Sequence, residues 1–167
     1  GKVGYIVSRD LPYVAETAVT LVGNALGTLI AALLLRQVRF FTSTVSTMDV
    51  TISDRVQATV DGKIHDNPLS IFILAIFCGI LMFTAVEGSR KCKEEKNFAG
   101  SLFVVVMPVM VFIICGFNHC IADMFYYFFA GCPEPSKAIV YFILAIAGNS
   151  VGGMIVPLLK KLSNQPL

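Results

Sequence analysis

One histidine stands inside a long apolar run: His119, within Cys115-Gly-Phe-Asn-His119-Cys-Ile-Ala-Asp123-Met124. An ionisable side chain at membrane depth is costly and marks a pathway or a paired site. Imidazole changes charge near neutral pH, so the chemistry on offer is proton exchange or hydrogen-bond donation to a small polar species. Asp123, one turn later, offers it a partner. A structural His–Asp pair fits the same residues, as does a neutral histidine joining two helices. Phe112 stands before the histidine, where a bulky ring can narrow a passage and strip water from what passes; plain packing is the alternative. Lys63, in Asp61-Gly-Lys-Ile-His65, is a cation just ahead of an apolar run, where it can gather anions; a lone loop lysine, like His65, is otherwise simply solvated.

These residues need walls, and the composition says what the walls are made of. Hydrophobic residues make up 56% of the chain and charged residues 14%, with a mean hydropathy of +0.76. A soluble domain carries about a quarter charged residues. The charges are also clustered: Val14–Leu35 contains only Glu16, while Leu69–Val86, Phe98–Asn118 and Ala138–Leu159 contain none. About 20 apolar residues cross a bilayer as a helix. The expectation is an all-α membrane protein, one transmembrane domain over 1–167, with spans near 14–35, 69–87, 98–130 and 138–159. Gly1–Asp10 reads as the continuation of something upstream, so the chain is expected to be a fragment.

The third stretch, Phe98–Ala130, is 33 residues long. As a straight helix it would measure about 50 Å against a hydrocarbon core of about 30 Å. Pro108 removes a backbone donor and Gly116 relaxes the chain, so a break is expected near 109–117, between half-helices Phe98–Pro108 and Phe117–Phe129. Irregular backbone at that depth survives only against protein or a water-filled cavity, and broken helices build midplane sites. A half-helix starting near Phe117 would turn free N–H groups and a positive dipole end toward an anion.

Four spans put the amino terminus, the Gly88–Asn97 loop and the tail on one side. That side holds eight of the thirteen Lys and Arg residues, four of them in the one short loop, so both ends are expected in the cytoplasm. Arg36–Pro68 is a long, charge-balanced connection in which Ser53–Val60 reads as a surface helix. Gly131-Cys-Pro-Glu-Pro135 reads as a tight, rigid turn.

Gly23-Asn24-Ala-Leu-Gly27 recurs as Gly148-Asn149-Ser-Val-Gly152. Small residues four apart allow close helix approach. Two independent packing motifs, or a duplicated three-helix unit whose last helix carries the motif, both account for it. The five cysteines are odd in number and lack metal spacing, so no disulfide framework, metal site or cofactor is expected. Nothing resembles a nucleic-acid-binding patch.

The block Gly116-Phe-Asn-His119-x-Ile-Ala-x-Met124, together with Gly148-Asn-Ser-Val-Gly-Gly153 and Gly23-Asn24 with Gly27, resembles the formate/nitrite transporter family. The likeness covers essentially the whole chain. It implies a homopentamer of six-helix protomers, each with its own pore on an aquaporin-like plan. This chain would be helices three to six, in a prokaryotic plasma (inner) membrane. It implies a transmembrane channel or transporter, not an enzyme, for small monovalent weak-acid anions such as formate, nitrite or hydrosulfide, moving with a proton. By that likeness His119 is the central pore histidine, Phe112 a ring of the constriction and Lys63 the outer-vestibule lysine. Asn118, Asn149 and Asn24 also join the pore set. The chain departs from the family where Gly79 stands for an Asn, Asn118 for an acidic residue and Asp123 for an Asn. An aquaporin-like channel for small neutral solutes is the alternative function; against it, the chain has no pair of Asn-Pro-Ala turns, and Asn67-Pro68-Leu69 is a single, differently placed Asn-Pro.

Overall fold

The computed structural model describes the backbone of residues 2–42, 44–45 and 48–163, and the side chains of 3–41 and 50–163. A 3-10 segment, Lys2–Ser8, leads into α1 (Leu11–Leu35). A folded connection follows: α2 (Arg39–Thr42), the antiparallel pair β1 (Thr44–Val45) and β2 (Met48–Thr51), and α3 (Ile52–Ile64). The remainder is α4 (Pro68–Glu94), α5 (Phe98–Ile114), α6 (Cys120–Phe129) and α7 (Pro135–Leu162). By length and composition α1, α4 and α7 can each cross a membrane, and α5 and α6 are shorter apolar helices in succession. The chain is an all-α membrane protein, the small hairpin aside.

Local signals set the boundaries. Thr51 and Asp54 form a reciprocal capping box that starts α3. Asn67 caps α4 by accepting from Leu69 N–H at 2.9 Å, with Pro68 as the first helical residue. Asn97 caps α5 by accepting from Gly100 N–H at 2.9 Å.

The overlong third stretch is divided, but not where proline suggested. α5 continues through Pro108 to Ile114, and the irregular backbone is Cys115–His119 rather than 109–117. A proline deletes one donor yet leaves the turns beyond it able to bond; ending a helix requires the chain to change direction. Gly116 does this at φ +66°, in the left-handed region open to glycine. Gly116 N–H then bonds Ile113 O at 3.2 Å and Phe117 N–H bonds Phe112 O at 2.9 Å, the paired bonds of a glycine-terminated helix. α6 closes the same way, with Gly131 at φ +88° and Cys132 N–H on Tyr127 O at 3.1 Å.

α4 packs most extensively on α7, and α6 sits against α1, α3 and α7. The second copy of the repeated motif makes the α4–α7 crossing: a Cβ at Gly152 would collide with the Ile76 carbonyl oxygen. Gly23 and Gly27 of the first copy have nothing within 4 Å among the described residues. The two copies therefore stand in different surroundings in this chain.

Polar groups gather at two opposite ends. At the end bearing the 3-10 segment, Tyr5 Oη donates to the buried Glu87 at 2.7 Å, and Arg90 and Lys160 pair with the same carboxylate. At the other end His65 meets Glu134 at 3.1 Å, and Lys137 meets Glu134 at 2.7 Å. The Lys137 hydrogen bond holds the Glu134 carboxyl below its ordinary range.

Candidate functional site

His119 is the residue on which the broken segment turns. Its backbone is extended (φ −104°, ψ 104°) and it is the N-cap of α6. Side-chain capping here is done by imidazole: Nδ1 accepts the Ala122 N–H at 3.2 Å. A capping Nδ1 is unprotonated, so the hydrogen of the neutral ring lies on Nε2, leaving a donor aimed away from the backbone. The ring stacks on Phe112, with centroids 5.4 Å apart and planes at 28°.

His119 lines two cavities. One, of about 310 Å³, lies toward α3 and is lined by Lys63, Phe112, Phe117, His119 and Asp123 among others. The second, of about 330 Å³, lies toward the 3-10 segment and is lined by Val3, Asn24, Gly79, His119 and Asn149 among others. Lys63 and Phe112 thus share the first cavity with His119, and Asn24 and Asn149 share the second with it.

Asn118 is the exception among the expected pore residues. It is 2% exposed, and its side chain is committed: Oδ1 accepts from Lys63 Nζ at 2.7 Å while Nδ2 donates to Ile71 O at 3.1 Å. It lies behind the cavity wall and ties the broken segment to α3 and α4. Asn149 is likewise structural, though it also faces a cavity. Its Oδ1 accepts the Cys120 N–H at 3.0 Å, and its Nδ2 donates to Ala75 O at 2.9 Å and Asn118 O at 2.7 Å. Two backbone groups flanking His119 thereby find their partners in one asparagine of α7.

Asp123 does not pair with the imidazole. His119 is the cap and not on the helix face, so the usual four-residue side-chain contact fails, and only the backbone Asp123 N–H reaches His119 O, at 2.9 Å. The carboxylate instead meets Lys63 Nζ at 3.4 Å and accepts from Tyr141 Oη at 2.6 Å. Sequence reasoning missed Tyr141, the Asp123–Lys63 pairing and the packing of α3 onto α6. Lys63 falls three residues after the buried Val60 and one before the buried Ile64 of an amphipathic helix, which was the available signal.

Apolar helices long enough to cross a membrane, packed around a broken segment whose capping histidine lines two cavities, define an integral membrane protein. The family model described as formate/nitrite transporter matches residues 11–161. The chain belongs to the formate/nitrite transporter family. It is similar to the formate channel FocA of Haemophilus influenzae, 37% identical over 70 residues, which cover 42% of this chain and 24% of that protein. It is also similar to the formate channel BtFdhC of Bacillus thuringiensis, 28% identical over 60% of this chain and 39% of that one. The uncharacterized transporter YrhG of Bacillus subtilis is 30% identical over 61% of this chain and 38% of its own length. The matches thus span well under half the length of these curated relatives. No solved structure gives a significant match.

Proposed function

We propose that the protein carries small monovalent weak-acid anions, formate foremost, across a prokaryotic plasma membrane, each leaving with a proton. The observation that carries this is that His119 lines both cavities while its Nδ1 is held by the Ala122 N–H, which leaves the ring's hydrogen on Nε2. An anion is gathered near Lys63. It takes a proton from the water of that cavity, because a lone charge is too costly to carry past the Phe112–His119 stack. The neutral acid accepts a hydrogen bond from Nε2–H, crosses, and returns its proton to water on the far side. His119 serves as donor rather than proton carrier, since Nδ1 is already committed to the Ala122 N–H. The charge bias of the loops supports both ends of this chain facing the cytoplasm, and family membership supports a homopentamer with one pore per protomer.

The test uses proteoliposomes of the full-length protein, with a formate gradient imposed and internal pH recorded. Formate entry accompanied by internal acidification is the expected result. Permeation of glycerol without formate would replace this reading with a channel for neutral solutes.

A further inference from the structure

We infer that Asp123, held in place by Tyr141, is the counter-ion that an entering anion displaces from Lys63. Asp123 is therefore the positioning residue that makes the lysine an exchangeable rather than a retentive anion site. The inference rests on the reading of Lys63 as the cation that gathers anions.

An ammonium has three N–H donors. Those of Lys63 face three protein acceptors: Asn118 Oδ1 at 2.7 Å, Gly116 O at 3.4 Å and Asp123 Oδ1 at 3.4 Å. An anion arriving in the cavity must take the place of one of them. The short bond to Asn118 is the hardest to exchange. Of the two long ones, only Asp123 carries a charge, so it sets the electrostatic cost of replacement.

Asp123 is built to stay where it is. It is 4% exposed, and its second oxygen takes the hydroxyl of Tyr141, itself 2% exposed, at 2.6 Å. The carboxylate cannot swing away with the lysine or follow it into the cavity. When the anion leaves, the fixed carboxylate reclaims the ammonium. A buried ion pair is weak evidence for stability, and the cation of this one lines a cavity in which an anion can compete for it. The lysine side chain keeps 17% exposure, whereas the aspartate keeps 5%.

The consequence is a signature that loss of structure does not produce. Removing the carboxylate should tighten anion binding and slow release together. At about 6 Å and the dielectric of water, one unit charge changes occupancy about threefold, and more in a drier cavity. Initial rates of formate uptake into proteoliposomes, measured against external formate, would be compared for wild type, D123N, D123E, Y141F, K63M and K63M/D123N. D123N should lower KM by about threefold or more and lower the maximal rate by a similar factor. Y141F should shift both in the same direction but less, and D123E should stay near wild type. In the K63M background D123N should shift both parameters by less than it does in wild type, because only the direct repulsion between carboxylate and anion is left to remove.

A KM that is unchanged or raised in D123N, or the same shift with K63M, would overturn the inference while leaving Lys63 as the anion-gathering residue. If K63M itself leaves KM and its salt dependence at wild-type values, the reading of Lys63 falls and the inference with it. Should D123N fail to assemble by size exclusion, Y141F, which keeps every charge, decides: its KM must fall.

Discussion

Replacing His119 separates two jobs that one ring performs. Its Nδ1 caps α6 through the Ala122 N–H at 3.2 Å, and the same ring, with its hydrogen left on Nε2, lines both cavities. Asparagine is a good N-cap, with an oxygen that can take over the Ala122 N–H, but its short side chain cannot reach as far as the imidazole Nε2. Phenylalanine keeps the stacking surface for Phe112 and loses both bonds. The cap is worth about 1 kcal/mol, so His119→Phe should be destabilised by that amount relative to His119→Asn, read as detergent thermal stability of the assembled protein. The donor is different. A neutral acid in a water-poor constriction that loses its hydrogen bond is left unsatisfied, at about 1–3 kcal/mol. Formate flux should therefore fall roughly five- to hundredfold in both variants, in proteoliposomes matched for protein. A His119→Asn protein with wild-type flux would refute the reasoning, because the cap would then be all the imidazole does.

Other consequences follow from other parts of the fold. Lys63→Ala should reduce formate flux more at low salt than at high salt, since attraction of an anion from solution is screened beyond about 10 Å at 0.1 M; equal losses would assign Lys63 to structure. Gly152→Ala should cost about 1–3 kcal/mol and separate α4 from α7, because its Cβ would collide with the Ile76 carbonyl, and thermal stability reads it. Thr51→Ala should cost about 1 kcal/mol of α3 stability through loss of its capping box, seen as faster amide exchange across Ile52–Ile64. The Thr51 hydrogen bonds hold the Asp54 carboxyl below its ordinary 3.8. The stabilisation of α3 by that carboxylate is therefore complete above the ordinary value and lost as pH falls through the lower folded one. Amide exchange in α3 that does not change on acidification would contradict this.

Much of the architecture was legible because burial in lipid acts on composition. Apolar runs free of charge, such as Leu69–Val86 and Ala138–Leu159, have few stable options besides a helix, since every backbone group must bond within its own segment. The overlong run from Phe98 to Ala130 announced a break by arithmetic on the rise of a helix, and Gly116 was among the residues named for it. Caps at Thr51, Asn67 and Asn97 are local codes, readable within four residues.

Where the break falls was settled by a backbone dihedral. Pro108 is the louder signal, yet it deletes only one donor, while the positive φ of Gly116 lets two carbonyls be satisfied as the chain turns. What the polar residues do depended on contacts far apart in the chain, which no local spacing encodes. Lys63 reaches Asn118 across 55 residues, Asn149 reaches Ala75 across 74, and Tyr141 claims Asp123 across 18. Residue type announced that a histidine, an aspartate and a lysine inside a membrane protein must find partners, because unpaired charge there is too costly to keep. Only the packing of α3, α4 and α7 around a broken segment decided which partner each would have. It thereby gave Asp123 to the lysine and left the imidazole its Nε2–H.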